Sequence, residues 1–440
     1  MTAADVTVVG GGIVGLCVAE ALQRRDADVC VLERGRCGAQ ASAGNAGWIT
    51  PGLSTPIPAP GVVPRALRWM LDPGSPLLVR PTLRPSFLRW SWDFWRSTSP
   101  RRYRAGMAAL VPLGRRVLAA YDALRDNGVS FEMHADGLLF VAHHERVLEA
   151  ELAALRAQQA LGFTGRVQEL SAAEARALEP ALSDAVVGGI LAADERHVRP
   201  ETVTAGLSER LREGGTQVRE HVPVERIERD GGGWALHAPG EVVRSERVVV
   251  AVGARSGAML APLGVRLPLE GAKGYSFTDT APPVRPRRPL YLLESKVGVS
   301  PYDAAVRFAG TLELGSRDLE VDGRRLRALD SAGARYLDGW YASVGRKEWA
   351  GMRPLLPDGL PAIGAVPGHP GLFVATGHAM LGVTLAPVTA ELLAPGILGE
   401  RPAPELAPFA VGRFDGRGSR NGVAGVASAH PAPVDEVARR

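Results

Sequence analysis

The residues best spaced for chemistry stand near the start of the chain. There Gly10-Gly11-Gly12-Ile13-Val14-Gly15 follows the apolar run Val6-Thr7-Val8-Val9, and an acid, Glu33, closes the next run, Val29-Cys30-Val31-Leu32. Gly10 permits a tight turn after the first strand, Gly12 lets backbone N–H groups approach a pyrophosphate with no Cβ between, and Gly15 lets the following helix pack close to the strand. That helix is predicted from about Val14 to Arg25, with Leu16, Ala19 and Leu22 on its apolar face and the positive end of its dipole toward the phosphates. Glu33 is then placed to accept both ribose hydroxyls, and a carboxylate there repels the 2′-phosphate of NADP. A glycine motif alone is weak evidence in a chain with 52 glycines. Strand, glycines, helix, second strand and terminal acid in that order make a dinucleotide-binding unit.

The other reactive side chains and the composition set limits. Cys17, Cys30 and Cys37 all fall inside this unit with neither metal-ligand spacing nor a partner downstream, so no metal site and no disulfide framework is expected, and a reducing cytoplasm fits. His143 and His144 read as solvated residues at a helix start. With 46% hydrophobic and 22% charged residues over 440 positions, the chain has material for two well-cored domains. The formal charge of +4 rests on 51 basic against 47 acidic side chains, and the denser arginine cluster from Arg96 to Arg104 is interrupted by Ser, Thr, Pro and Tyr. That pattern does not track a phosphate backbone, so no nucleic-acid partner is expected. No apolar run approaches the ~20 residues needed to span a bilayer. A cytoplasmic protein is predicted, with peripheral contact at the inner face of the membrane left open.

The elements that must hold the unit alternate along the chain. After Ser42-Ala43-Gly44-Asn45-Ala46-Gly47-Trp48, a proline-rich stretch from Pro51 to Pro64 can form neither a helix nor a central strand. Residues from Val63 to about Leu161 read as mainly helical, with Trp69, Trp90, Trp92 and Trp95 concentrated early, and with a buried strand at Gly137–Ala142. A helix to about Glu213 leads into a small antiparallel meander over Val222–Ile227 and Trp234–Ala238. The next strand, within Arg247–Ala254, contains a run ending at Gly253 that is continuously apolar and suits a central position in the nucleotide sheet. Leu267–Thr278, Leu290–Leu293 and Val306–Leu314 read as strands of a second antiparallel sheet. Leu326–Val344 reads as a helix, Leu372–Thr376 as a buried strand, and a further helix runs from near Val383 to Leu398. The Gly/Arg/Pro/Ala-rich tail has nothing to bury and is expected to be disordered.

Several segments in order make the chain resemble the FAD-dependent D-amino-acid dehydrogenase branch of the glycine oxidase, D-amino-acid oxidase and sarcosine oxidase superfamily, over about residues 5 to 410. They are Ser42–Gly47 with Ala59-Pro60-Gly61, Leu67-Arg68-Trp69-Met70, Gly271-Ala272-Lys273-Gly274-Tyr275-Ser276, Gly351-Met352-Arg353-Pro354 with Pro357-Asp358-Gly359-Leu360-Pro361, and Thr376-Gly377-His378. The resemblance implies an α/β FAD-binding Rossmann-like domain interleaved with an α+β substrate domain built on an antiparallel sheet. The implied FAD domain is residues 1–64, 194–264 and 346–410, the substrate domain 65–193 and 265–345, and the tail 411–440.

By the same resemblance, Gly10, Gly12, Gly15, Glu33 and Arg34 hold the ADP half. Ser42, Asn45, Ala46 and Gly47 lie along the pyrophosphate and flavin, Val224 meets the adenine, and Gly253 belongs to the cofactor wall. Gly377, Gly382, Val383 and Thr384 approach the flavin ring. Arg353 offers a planar fork for the substrate carboxylate, Tyr275 donates its hydroxyl to the same carboxylate, and His378 stands beside the flavin. The glycine usual after that histidine is Ala379 here. Lys273, one of only three lysines, is placed to pair with substrate or flavin or to fill a tight spot. The implied reaction passes a hydride from the Cα of an amino acid to flavin N5, giving an imine and then a 2-oxo acid and ammonia, with electrons going on to a quinone, another carrier or oxygen. All cysteines precede residue 38 and the first histidine is His134, so the FAD is expected to be non-covalent. Two other readings fit the same residues: oxidation of a secondary amine such as a hydroxyproline or sarcosine-like compound, and a non-catalytic FAD-binding subunit.

Overall fold

A computed structural model describes residues 4–69 and 75–415. Met70 of the segment Leu67-Arg68-Trp69-Met70 and residues 416–440 of the expected tail lie outside the described residues. Val6, Thr7, Val8 and Val9 are buried on both faces, the environment of a central parallel strand. Ala4–Val9 accordingly pairs in parallel with Val29–Leu32 on one side and with Glu241–Val250 on the other, Val8 standing between Val31 and Val249. Gln217–Arg219 and Leu372–Thr376 extend the sheet in parallel at either side, and Ala362–Ala365 adds antiparallel to the latter. The first half of Glu241–Val250 pairs antiparallel with Gly233–Ala238, which pairs with Arg226–Asp230. A meander is thus grafted onto a Rossmann-like sheet of eight strands. The helix Ile13–Gln23 packs against Pro200–Glu213 and Gly382–Ile397, so Leu16, Ala19 and Leu22 are buried, and Cys17 and Val18 with them.

The second sheet has nine strands and is mostly antiparallel. Lys347–Leu355 pairs with Glu270–Asp279, then Ala305–Leu314, Val297–Tyr302, Leu290–Leu292 and Leu138–Ala142 follow in order. The strand Val297–Tyr302 contains Gly298, Ser300 and Pro301, which hide it from a propensity reading. Between Lys273 and Tyr275 the pairing slips, so Lys273 faces Glu313 while Tyr275 faces Gly310.

The domain organisation differs from the sequence expectation in three places. Lys347–Leu355 belongs to the second sheet, so the chain returns to the first only by Ala362 rather than at residue 346. The helices Pro100–Gly114 and Val117–Asp126, expected in the substrate domain, place Leu110, Leu113, Val117, Tyr121 and Leu124 in the core of the nucleotide domain. Tyr121 donates its hydroxyl to the Val383 carbonyl there at 2.6 Å. The start of the expected tail is packed: Val411 is buried, and Arg413 donates to Asp358 at 2.8 Å.

Candidate functional site

One cavity runs from the end of the strand Ala4–Val9 to the face of the second sheet. Gly10, Gly12, Glu33, Arg34, Ser42, Asn45, Val224, Gly253, Gly382 and Val383 line it. Gly10 sits at φ +112, and a Cβ there would stand 2.5 Å from the Ala251 carbonyl oxygen. Glu33 accepts the Gly11 N–H at 2.7 Å through Oε2 and the Gly35 N–H at 2.9 Å through Oε1, which fixes its carboxylate beside the turn. Ser42 Oγ accepts the Ile13 N–H at 3.1 Å, at the open N-terminus of the helix. Arg34 donates to Gln40 Oε1 at 3.0 Å, and Asn45 Oδ1 accepts the Gly47 N–H at 2.8 Å. An elongated cleft with a helix N-terminus at one end, and a turn that admits no Cβ, fits a dinucleotide such as FAD.

The remaining five expected cofactor residues, Gly15, Ala46, Gly47, Gly377 and Thr384, stand one layer behind the wall. A Cβ on Gly15 would lie 2.0 Å from the Gly10 carbonyl oxygen, and one on Gly47, at φ +78, 1.9 Å from that of Val198. Ala46 accepts from Ser300 and Tyr302. Gly377, at φ +78, abuts Leu356, and Thr384 donates to the Trp48 carbonyl at 2.9 Å.

At the second-sheet end, Trp349, Met352, Arg353 and Pro354 of Lys347–Leu355 line the cavity. The Arg353 guanidinium lies over Gly274, where a Cβ would be 2.2 Å from Cζ. Its Nη1 donates to the Thr311 carbonyl at 2.9 Å, and among the described residues no carboxylate pairs with it. Burial alone pulls its pKa down to about 10, so it stays cationic at neutral pH. His378 is buried with Nε2 3.0 Å from Thr389 Oγ1, and burial pulls its pKa down to about 4, leaving a neutral imidazole.

Tyr275 is a correction to the sequence expectation. It is fully buried and does not line the cavity, and its hydroxyl donates to Glu313 Oε2 at 2.6 Å. Arg353 is paired across the strands with Ala272 and shares a face with Ala272 and Gly274, so Lys273 and Tyr275 point to the other side. Lys273 likewise spends its ammonium on Asp318 at 2.6 Å, which pulls that carboxyl down to about 2.

Trp349, Met352, Arg317 and Leu319 line the cavity and were not expected there. The signal for Trp349 was its glycine neighbours, since a Cβ on Gly44 or Gly351 would stand 2.0 or 2.1 Å from the indole. Outside the cavity, Glu132, His134 and Asp303 bring one potential ligand atom each within 4.8 Å of one another. Hydrogen bonds among them account for the clustering, and the Arg199 guanidinium stands 4.0 Å from Glu132.

Ala379, where glycine was expected, adopts the glycine conformation all the same, at φ +50, and its N–H donates to the Pro354 carbonyl at 2.9 Å. A left-handed backbone costs an L-residue about 1 kcal/mol. Ala379→Gly is therefore expected to raise stability by roughly 0.5–1 kcal/mol in urea denaturation; a lower midpoint would show that the strain is absent.

Residues 5–395 match the DAO family, described as FAD dependent oxidoreductase. The chain is 33% identical to a D-amino acid dehydrogenase of Chromohalobacter salexigens and 32% identical to one of Xanthobacter autotrophicus, in each case over 93% of this chain and 99% of the relative. The fold is similar to that of glycine oxidase from Geobacillus kaustophilus, with a TM-score of 0.73 and 25% identity over 94% of this chain and all of the other.

Proposed function

The chain belongs to the DAO family of FAD-dependent oxidoreductases, and from that premise we propose that it oxidatively deaminates a D-amino acid whose carboxylate is held by Arg353. The observation that carries this reading is the Arg353 guanidinium, placed in the cavity with only the Thr311 carbonyl as a partner among the described residues. A desolvated cation without a counter-ion is costly, and a substrate carboxylate completes it in a charge-assisted pair. The name shared by the relatives supplies the D-amino acid.

Bound FAD supplies the acceptor for a hydride from the substrate Cα, leaving an imine that water splits into a 2-oxo acid and ammonia. The chain's own contribution is placement. Arg353 anchors one end of the substrate, and Gly274 leaves room for the guanidinium. The neutral His378 is held by Thr389 of the helix Gly382–Ile397, and Trp349 and Met352 add apolar surface to the cavity wall. None of the three cysteines lines the cavity, and burial pushes the Cys37 thiol up to about 12, which supports dissociable FAD. Steady-state assays with D-alanine and a dye acceptor are expected to release 2-oxo acid and ammonia in equal amounts. Dye reduction with sarcosine or hydroxyproline but with no D-amino acid would move the reading to a secondary amine, and peroxide formed in air would identify oxygen as acceptor.

The helix Pro85–Ser97 supports peripheral membrane contact. It buries Phe87 and Trp90, while Leu88, Trp92 and Trp95, spaced for one helical face, are 51%, 58% and 52% exposed, with Arg89 and Arg96 on the same helix. No helix among the described residues is long and apolar enough to cross a membrane. Vesicles containing anionic lipid are expected to sediment the protein and to lose it on joint Trp92→Ser and Trp95→Ser substitution. Equal sedimentation of wild type and variant would remove this surface from the account and leave a diffusible carrier.

A further inference from the structure

One buried cation has no part in the reaction above. Arg307, on the strand Ala305–Leu314 of the second sheet, is 3% exposed. Its guanidinium reaches the nucleotide side, where Nη1 donates to the carbonyls of Ala43 and Asn45, both at 2.8 Å. Nε donates to Thr278 Oγ1 at 2.9 Å, and Nη2 pairs with Glu201 of the helix Pro200–Glu213. Two neighbours grip the same loop, with Ser300 Oγ and the Tyr302 hydroxyl donating to the Ala46 carbonyl at 2.7 and 2.9 Å.

A trans peptide points its C=O and its N–H in opposite directions. Carbonyls of Ala43 and Asn45 turned onto Arg307 therefore turn the N–H groups of Gly44 and Ala46 away from it, and among the described residues neither N–H has an acceptor. Gly44 and Asn45 line the cavity, and although the Ala46 side chain stands behind the wall, its N–H belongs to the peptide unit that begins at Asn45. Two unspent amides on one side of a loop form a cradle for an anionic or carbonyl oxygen. We propose that Arg307 is a positioning residue for the cofactor: reaching from the substrate domain, it sets the two peptide planes through which Gly44 and Ala46 N–H bind oxygens of FAD. Only a planar guanidinium serves two carbonyls, a hydroxyl and a carboxylate at once; lysine brings a single point charge. This role does not depend on which amine the site oxidises.

The test is the FAD affinity of Arg307→Met and Arg307→Lys holoenzymes, read from free flavin after ultrafiltration, beside the thermal midpoint of each apo-protein. Arg307→Met is expected to weaken FAD binding about 100-fold and Arg307→Lys about 10-fold. Millimolar methylguanidinium should restore part of the affinity to the methionine variant. A folded Arg307→Met protein with wild-type FAD affinity, or one whose apo-protein melts lower with FAD affinity unchanged, overturns the proposal. Should the methionine variant fail to fold, a folded lysine variant with wild-type FAD affinity overturns it equally.

Discussion

Arg353→Met is expected to lower kcat/KM for the amino acid about 1000-fold while FAD stays bound. In the proposed role the guanidinium would meet the substrate carboxylate in two parallel charge-assisted hydrogen bonds inside a cavity that water would leave when substrate enters. Loss of about 4 kcal/mol of binding corresponds to three orders of magnitude in rate. Arg353→Lys keeps the charge but loses the fork, and roughly 100-fold is expected. The wild-type enzyme should suffer a comparable loss with the primary amine that lacks the carboxylate, and Arg353→Met should treat acid and amine nearly alike, because each change removes one half of the same pair. The fold should not suffer: the arginine has no counter-ion among the described residues, so a methionine of similar reach leaves the apo-protein as stable or more so. A variant that still prefers the acid by a wide margin would place the carboxylate elsewhere.

The second large effect separates two glycines of one motif. A Cβ on Gly15 would come 2.0 Å from the Gly10 carbonyl oxygen, a backbone atom in the turn itself, whereas a Cβ on Gly12 would meet only Ser42 Oγ, at 3.6 Å. Gly15→Ala must therefore push the helix Ile13–Gln23 off the sheet, and a loss of about 3 kcal/mol is expected even without cofactor. Gly12→Ala should leave the apo-protein unchanged and instead place a methyl group in the cavity, where the pyrophosphate approaches, weakening FAD binding at least about 100-fold. Thermal melts of apo- and FAD-loaded forms of both variants check the pair. An apo Gly12→Ala protein destabilised as much as Gly15→Ala would show that both glycines serve packing alone.

Much of the fold was legible because burial on two faces leaves a strong mark. Val29–Leu32 and Val248–Val250 are apolar throughout and Val6–Val9 is broken only by the buried Thr7, and these runs lie in the three adjacent parallel strands at the centre of the first sheet. Which core a helix joins is not written locally: Val117–Asp126 shows an apolar face, but nothing in its residues says that Tyr121 will reach Val383. The nucleotide end of the site could be read from spacing, since Gly10, Gly12 and Glu33 are close in sequence. Arg353 and His378 came through resemblance, and the cavity brings both to one end. Tyr275 failed for a geometric reason. Only the register of Glu270–Asp279 against Lys347–Leu355 reveals that Gly274, and neither Lys273 nor Tyr275, shares a face with Arg353. Arg307 gave no signal, because an arginine between Val306 and Phe308 reads as the polar position of an alternating strand until the loop at residues 42–47 folds onto it.

The most direct test is an anaerobic absorbance record near 450 nm as D-alanine, other D-amino acids, their L-enantiomers, hydroxyproline and sarcosine are added in turn to the FAD-loaded protein. Bleaching by D-amino acids is expected, with no response to L-enantiomers and none in Arg353→Met at the same concentrations. A flavin that none of these compounds bleaches would contradict it and leave an FAD-binding subunit without amine chemistry of its own.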